Sequence, residues 1–236
     1  MKTKYKRVLV KLSGELLGSG KSQSSLDFRK IARVVRSLKA LRACGVEVGV
    51  VVGAGNIFRA RMVGDGKIDR VAADHMGMMG TIINGLALQS VFEKQGIDAR
   101  VLSSISMPQI VEDYVYKRAL KHFKNKRIVI FAGGTGRPFF TTDTAAVLRA
   151  LEIRADVVLK ASDVDGVYDA DPHRSKKAKK FDSLTFSEAL ERRLKVMDET
   201  AFALAQENNL PIIVFKFSEK NLLNLIHGKK VGTLVS

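Results

Sequence analysis

The sequence predicts an α/β protein in three layers: a mainly parallel central sheet with helices on both faces. Three observations carry that expectation. Short runs rich in β-branched residues alternate with helix-like runs along the whole chain. The runs are near-continuously apolar, as strands covered on both faces require. Three of them lead straight into glycine-rich turns, "KLSGE", "VGAGN" and "AGGTGRP", at the strand ends where open α/β sheets form their ligand crevice.

The first strand is expected at "RVLVKL" (7–12). A helix follows from about Asp27, because Phe28, Ile31, Val34, Val35, Leu38 and Leu41 recur on one face at spacings of three and four. Gly45 suits its C-terminal cap. Further strands are expected at "VEVGVVV" (46–52), "ARVLS" (99–103), "RIVIFA" (127–132), "ADVVLKA" (155–161) and "PIIVFK" (211–216). The stretch 75–92, "HMGMMGTIINGLALQSVF", carries no formal charge. Its glycines with Thr81, Asn84, Gln89 and Ser90 make it too polar to span a membrane. It reads as a helix buried on most sides, in the core or at a subunit interface. No internal repeat or dividing linker is visible, so one domain over 1–236 is expected.

The 236 residues include 40 Lys and Arg against 24 Asp and Glu, a net charge of +16. Such an excess points to an anionic partner: nucleic acid, nucleotide or phosphorylated metabolite. Cys44 is the only cysteine, which excludes an intrachain disulfide and argues against structural zinc. The basic N-terminus has neither a long apolar run nor a small-residue cleavage site, as expected of a cytoplasmic protein. His75, His122, His173 and His227 show no metal-ligand spacing, and no Cys/His or Ser/His nucleophile arrangement stands out.

"GELLGSGKS" (14–22) imitates a phosphate-binding P-loop. The P-loop pattern needs a glycine five residues before Gly20, where Glu15 stands, and "SQSSLD" after Lys21 reads as loop rather than helix. Phosphate binding therefore falls to the three glycine turns, whose bare backbone N–H groups can floor an anion site. Lys11 ends the first strand beside Ser13 and Gly14, within reach of a phosphate if it is not simply solvated. Gly53, Ala54, Gly55 and Asn56 precede Arg59, a bidentate phosphate grip or a surface residue.

"AGGTGRPFFTTDTAA" (132–146) is the most informative stretch. Thr142 or Asp143 could be a mere helix cap, but capping does not account for Phe139 and Phe140 in so polar a loop. A base-stacking or pocket-lining role would. "KASDVDGVYDADP" (160–172) holds four aspartates yet lacks the glycine position of a calcium loop. Tyr168 could hold a purine there, and Asp163 or Asp165 could cap or orient a lysine. The basic runs 117–127 and 173–180 read as solvated faces. Phosphoryl transfer to another phosphate fits what is missing: a phosphate monoester with a second pKa near about 6 is already an anion at neutral pH and needs no base. What remains is alignment and charge cancellation.

At these residues the chain resembles the amino-acid kinase superfamily and, within it, the bacterial UMP kinases. The match runs from "KRVLVKLSGE" through "DHMGMMGTIINGLA", "GTGRPFFTTDTAA" and "VLKASDVDGVYDADP" to "LKVMDETAFALA" and "LPIIVF". The resemblance implies transfer of the γ-phosphoryl group of ATP to UMP, with Mg²⁺ held mainly through nucleotide phosphates and no dedicated protein ligands. It implies Lys11, Asp143 and Arg59 at the reaction centre. Lys11, Leu12, Ser13, Gly14, Gly55, Arg59, Ser162, Tyr168 and Asp171 would then surround ATP. UMP would meet Ala54, Asp74 and the loop of Thr135, Gly136, Arg137, Pro138, Phe139, Phe140, Thr141 and Thr142. A homo-oligomer, by resemblance a hexamer, is implied too, with no membrane and no need for nucleic acid. The chain departs from the family pattern at Ala54, Arg137, Gln89 and "LLGSGKSQSSLD", the last two bearing on the response to nucleotide effectors. The rival readings are a relative acting on a small carboxylate, carbamate or phosphate, and a basic nucleic-acid-binding protein.

Overall fold

In the computed structural model, strand β1 (Arg7–Leu12) lies between β2 (Glu47–Val52) and β6 (Val157–Ser162), parallel to both. The residues described are 2–18, 25–58, 68–175, 177–192, 194 and 196–236. Beyond β2 come β5 (Ile128–Ala132), β3 (Ala99–Ser103) and β4 (Glu112–Asp113). Beyond β6 come β8 (Ile212–Lys216), β9 (Thr233–Val235) and β7 (Ser183–Leu184). Among the described residues the order is β4-β3-β5-β2-β1-β6-β8-β9-β7, and only the β8–β9 pair is antiparallel.

Two cores sandwich this sheet. Helices α1 (Phe28–Ala43), α2 (Arg70–Lys94) and α7 (Glu219–Ile226) share one with Val8, Val10 and Leu12 of β1. Helices α3 (Tyr116–Lys124), α4 (Thr142–Glu152), α5 (Phe186–Glu191) and α6 (Glu199–Glu207) share the other with Leu9 and Val158. Alternation along a strand sends successive side chains to opposite faces. Lys11 therefore follows Leu9 and Lys160 follows Val158 toward the α4 and α6 side. The register sets those two lysines directly opposite one another.

All six expected strands are present, with ends shifted by two residues at most. β4, β7 and β9 lie outside the expected runs, because two or three residues cannot make a β-branched run. Asp27 caps α1 by accepting from the Arg29 and Lys30 amides at 2.9 and 3.2 Å, and Gly45 follows the helix at φ 82°. Phe28 departs from the expected apolar face: it is 59% exposed. Standing at the first helical position, it precedes the stripe from Ile31 that meets the core. The 75–92 stretch is helical as expected, and within the single chain one side of it is buried. Met78, Ile82, Leu88 and Phe92 enter the core, while Met76, Met79 and Ile83 are exposed. Gln89 accepts the Val101 amide of β3 at 3.1 Å. Among the described residues no helix is long and apolar enough to cross a membrane.

Phe202 on α6 is 1% exposed and meets Phe186 edge-on at 6.2 Å between centroids. Phe202→Ala should cost about 3–5 kcal/mol of stability. Phe28→Ala should change it by less than about 0.5 kcal/mol, as exposed positions do. Urea unfolding of both variants checks the pair, and equal losses would contradict the placement of Phe28.

Candidate active site

Asp143 stands in the first turn of α4, capped by the Thr141 side chain rather than by Thr142 or Asp143 itself. From there its carboxylate reaches the ends of β1 and β6. Lys11 Nζ lies 2.7 Å from one oxygen and Lys160 Nζ 2.5 Å from the other. Both lysines are only 9% exposed. Burial alone would raise the Asp143 carboxyl, but the Lys11 and Lys160 charges outweigh it and hold the group below the usual carboxylate range. Burial pushes the Lys160 ammonium down, Asp143 pulls it back up, and the nearby Lys11 charge adds to the fall. Lys160 also donates to the Val196 carbonyl. The cluster is cationic overall and has carboxylate on one side of each ammonium, so a further anion would find two preorganised positive groups.

Lys160 was not among the site residues read from the sequence. A signal existed: "VKLS" at the end of β1 and "LKAS" at the end of β6 place a lysine two residues before a serine in both strands. On adjacent parallel strands that repetition puts both ammonium groups at one edge.

The glycine turns gather at the same edge, since β5, β2, β1 and β6 are consecutive parallel neighbours. Gly53 N donates to Leu12 O at 2.9 Å, tying the turn after β2 to the end of β1. Ser13 caps the short turn Gly14–Leu16 by accepting from the Glu15 amide. A Cβ at Gly14 would stand 2.4 Å from Asn56 Oδ1, 2.7 Å from Gly55 N and 2.8 Å from Gly53 O. The two turns thus approach more closely than any side chain permits. Ala54, 9% exposed, packs over Gly80 of α2, where a Cβ would come within 2.8 Å of its own.

Helix α2 holds these turns from the opposite face. Buried Asn84 donates to Gly53 O and to Asn56 Oδ1, both at 2.8 Å, and accepts from Asn56 at 3.0 Å. Thr81 accepts the Gly133 amide at 2.8 Å while donating to Met78 O at 2.6 Å. The neutral polar residues of the uncharged stretch are therefore anchors for the turns after β2 and β5.

The 133–141 loop ends against Asp74, whose carboxylate accepts the Phe139 amide at 2.7 Å and pairs with Arg70 at 2.9 Å. Phe139 has φ 70°, a strained value for a bulky residue. The Arg70 guanidinium covers its ring at 5.4 Å. Phe139 and Phe140 are 65% and 49% exposed, so neither belongs to the core. Thr135 accepts the Arg137 amide at 3.2 Å, and Pro138 completes this exposed turn. Thr141 and Thr144 both donate to Asp198, the cap of α6, which fastens the start of α4.

Past Ser162 at the end of β6, a cavity of about 460 Å³ is lined by Ser162, Tyr168, Asp171, Arg192, Leu194 and Val196, among others. The Tyr168 hydroxyl donates to Asp165 at 2.5 Å, and Lys180 pairs with the same carboxylate at 3.2 Å. Asp171 organises the turn through the His173 amide at 2.9 Å. Asp163 meets His173 rather than a lysine. Val196 joins this cavity to the lysine cluster. Lys11, Leu12, Ser13, Gly14, Gly55, Thr142 and Asp143 thus lie together at one sheet edge, with Asp74 and the phenylalanines on one flank and Tyr168 and Asp171 on the other. Arg59 and Lys21 lie outside the described residues.

The family model described as the amino acid kinase family matches residues 6–216. A crystal structure of UMP kinase from Bacillus anthracis is 40% identical at TM-score 0.94, over 98% of this chain and 96% of that one. UMP kinase from Ureaplasma parvum is 37% identical at TM-score 0.91, over 100% and 99%. Uridylate kinase from Archaeoglobus fulgidus is 25% identical at TM-score 0.72, over 97% and 99%.

Because Gly55 N and Gly53 O are backbone atoms, Gly14→Ala cannot be absorbed by a rotamer change. It should lower stability by about 1–3 kcal/mol, the scale of overpacking. Denaturant unfolding measures this, and an unchanged midpoint would show that the two turns do not touch as described.

Proposed function

Since the chain belongs to the amino acid kinase family, we propose that it transfers the γ-phosphoryl group of ATP to UMP, giving UDP and ADP. The observation that carries the chemistry is the buried pair Lys11 and Lys160 bridged by Asp143. The acceptor is supported by the near full-length likeness to UMP kinases. The small-carboxylate and nucleic-acid readings find no comparable support. The 1–236 chain is read as one catalytic domain.

The reaction needs no general base, because the phosphate of UMP is largely dianionic at neutral pH. It needs two anions brought together and charge neutralised on the group in transfer. Lys11 and Lys160 are suited to that, since both are fixed by strand backbone and by Asp143 before any ligand arrives. Preorganised charge of this kind costs no rearrangement as the reaction proceeds. ATP would occupy the Ser162–Tyr168–Asp171 cavity with its phosphates over Ser13, Gly14 and Gly55. UMP would take the Ala54, Asp74 and Thr135–Thr142 side, with Arg59 contributing at the phosphates. Among the described residues no three His, Cys, Asp or Glu side chains gather to hold a metal, and Asp143 is already shared by two ammonium groups. By the resemblance Mg²⁺ would be held mainly by the nucleotide's phosphates, where it would supply charge neutralisation. The setting is read as cytoplasmic pyrimidine nucleotide biosynthesis.

Lys160→Met should lower kcat by about 10²- to 10³-fold, as loss of one preorganised charge-stabilising donor does, and Lys11→Met should do the same. KM for UMP should stay within about tenfold, since the lost contact is strongest in the transition state. A coupled assay of ADP release checks both, and near-normal kcat in Lys160→Met would remove that residue from the reaction centre.

The exposed Met76, Met79 and Ile83 on α2 support a homo-oligomer, a hexamer by the resemblance. Methionine suits apolar surfaces that must adapt to a partner. Sedimentation at micromolar concentration should show an assembly, and a monomer there would refute this.

A further inference from the structure

Arg149 of α4 is 4% exposed and takes no part in the Lys11–Asp143–Lys160 cluster. Its guanidinium lies 3.8 Å over the Tyr114 ring and pairs with Glu152 at 2.5 Å, which the Tyr114 hydroxyl also reaches at 2.5 Å. Its second amino group meets Ser104 Oγ at 2.9 Å and the Gly134 carbonyl itself only at 3.5 Å, whereas Ser104 Oγ lies 2.9 Å from that carbonyl. A guanidinium can only donate. The Ser104 hydroxyl must therefore accept from Arg149, which leaves its one proton for Gly134 O. Donor direction is set from the buried end outward.

The loop feels this through peptide geometry. In a trans peptide the C=O and N–H of one unit point opposite ways. Holding Gly134 O down on Ser104 turns the Thr135 N–H away from the body of the protein. The neighbouring units are held as well, because Thr81 takes the Gly133 amide and Gly136 N donates to Gly133 O at 2.9 Å. Among the described residues the Thr135 N–H has no intramolecular acceptor.

We propose that Arg149 is a positioning residue that acts through Ser104 to aim the Thr135 amide at the acceptor nucleotide. This rests on the reading of the 133–141 loop as the acceptor side. A flipped Gly134–Thr135 peptide would present a carbonyl oxygen to an electron-rich ligand, so the relay controls acceptor binding and leaves ATP untouched.

Ser104→Ala removes the relay's middle member with little change in volume. It should raise KM for UMP by about 3- to 12-fold, the worth of one hydrogen bond, with KM for ATP within about twofold and kcat within about threefold. Arg149→Lys should act the same way, because one compact ammonium cannot serve Glu152 and Ser104 as the planar fork does. Tyr114→Phe cuts the bond to Glu152 but leaves the relay whole, so it should lower Tm and leave KM for UMP alone. A rise in KM for UMP in Tyr114→Phe equal to that in Ser104→Ala would reduce the effect to loosened packing and overturn the proposal. So would an unchanged KM for UMP in Ser104→Ala, or a matching rise for ATP. Wild-type protein that does not turn over UMP would instead overturn the functional reading, and the relay with it.

Discussion

Two ammonium groups share one carboxylate where β1, β6 and α4 meet, and much of the surrounding structure serves to make that arrangement tolerable. Lys11 and Lys160 occupy paired positions on adjacent strands, with both side chains on the same face. Two like charges so placed and so buried would repel strongly, because the low dielectric that shields them from water also strengthens their interaction. Asp143 cancels part of that repulsion and is itself kept ionised by the two cations. Remove the carboxylate and the lysines are left as uncompensated buried charges, a costly state. The start of α4 must therefore be held in place, which Thr141 and Thr144 do through two side-chain contacts across to Asp198, the cap of α6.

The second constraint is backbone proximity. A phosphate site built from N–H groups works only if the turns that supply them are close and fixed. Closeness comes from glycine, as at Gly14, and fixation from neutral hydrogen-bonding side chains on α2. Asn84 is paired with Gly53 O and the Asn56 side chain, and Thr81 with the Gly133 amide and Met78 O, so their burial carries little penalty. Charged anchors in the same places would have competed with the ligand or with the lysines. The stretch 75–92, which supplies these anchors, carries no formal charge.

The six-strand parallel core was legible in the sequence because burial on both faces leaves an unmistakable apolar signature. The glycine turns marked the candidate site's edge because at a close approach such as Gly14 the residue type follows from sterics alone. What sequence could not show was anything depending on register. Lys160 sits in an expected strand, yet its partnership with Lys11 exists only once β1 and β6 are neighbours. The Arg149–Ser104 contact likewise exists only once α4 is packed beside the segment after β3. The 75–92 helix was legible as a helix, but its uncharged sequence could not show which residues anchor turns and which form the exposed methionine face of the single chain. Short edge strands such as β4 and β7 carry no pattern to read.

These features divide the labour between rigid and adaptable parts. The charges proposed to act on the phosphoryl group are mounted on strand ends, whose positions the whole sheet defines. On the proposed reading, the groups that would distinguish one acceptor from another lie on the 133–141 loop, where Phe139 is held in a strained conformation by Asp74 and Arg70. Strain of that kind persists only where the surroundings over-determine it, here through contacts made by α2, α4 and the segment after β3. A change at the strand ends should therefore be felt in the rate with any acceptor. A change beneath the loop should be felt in which acceptor is held. On this reading the same sheet edge can keep one chemistry while its loops vary the substrate.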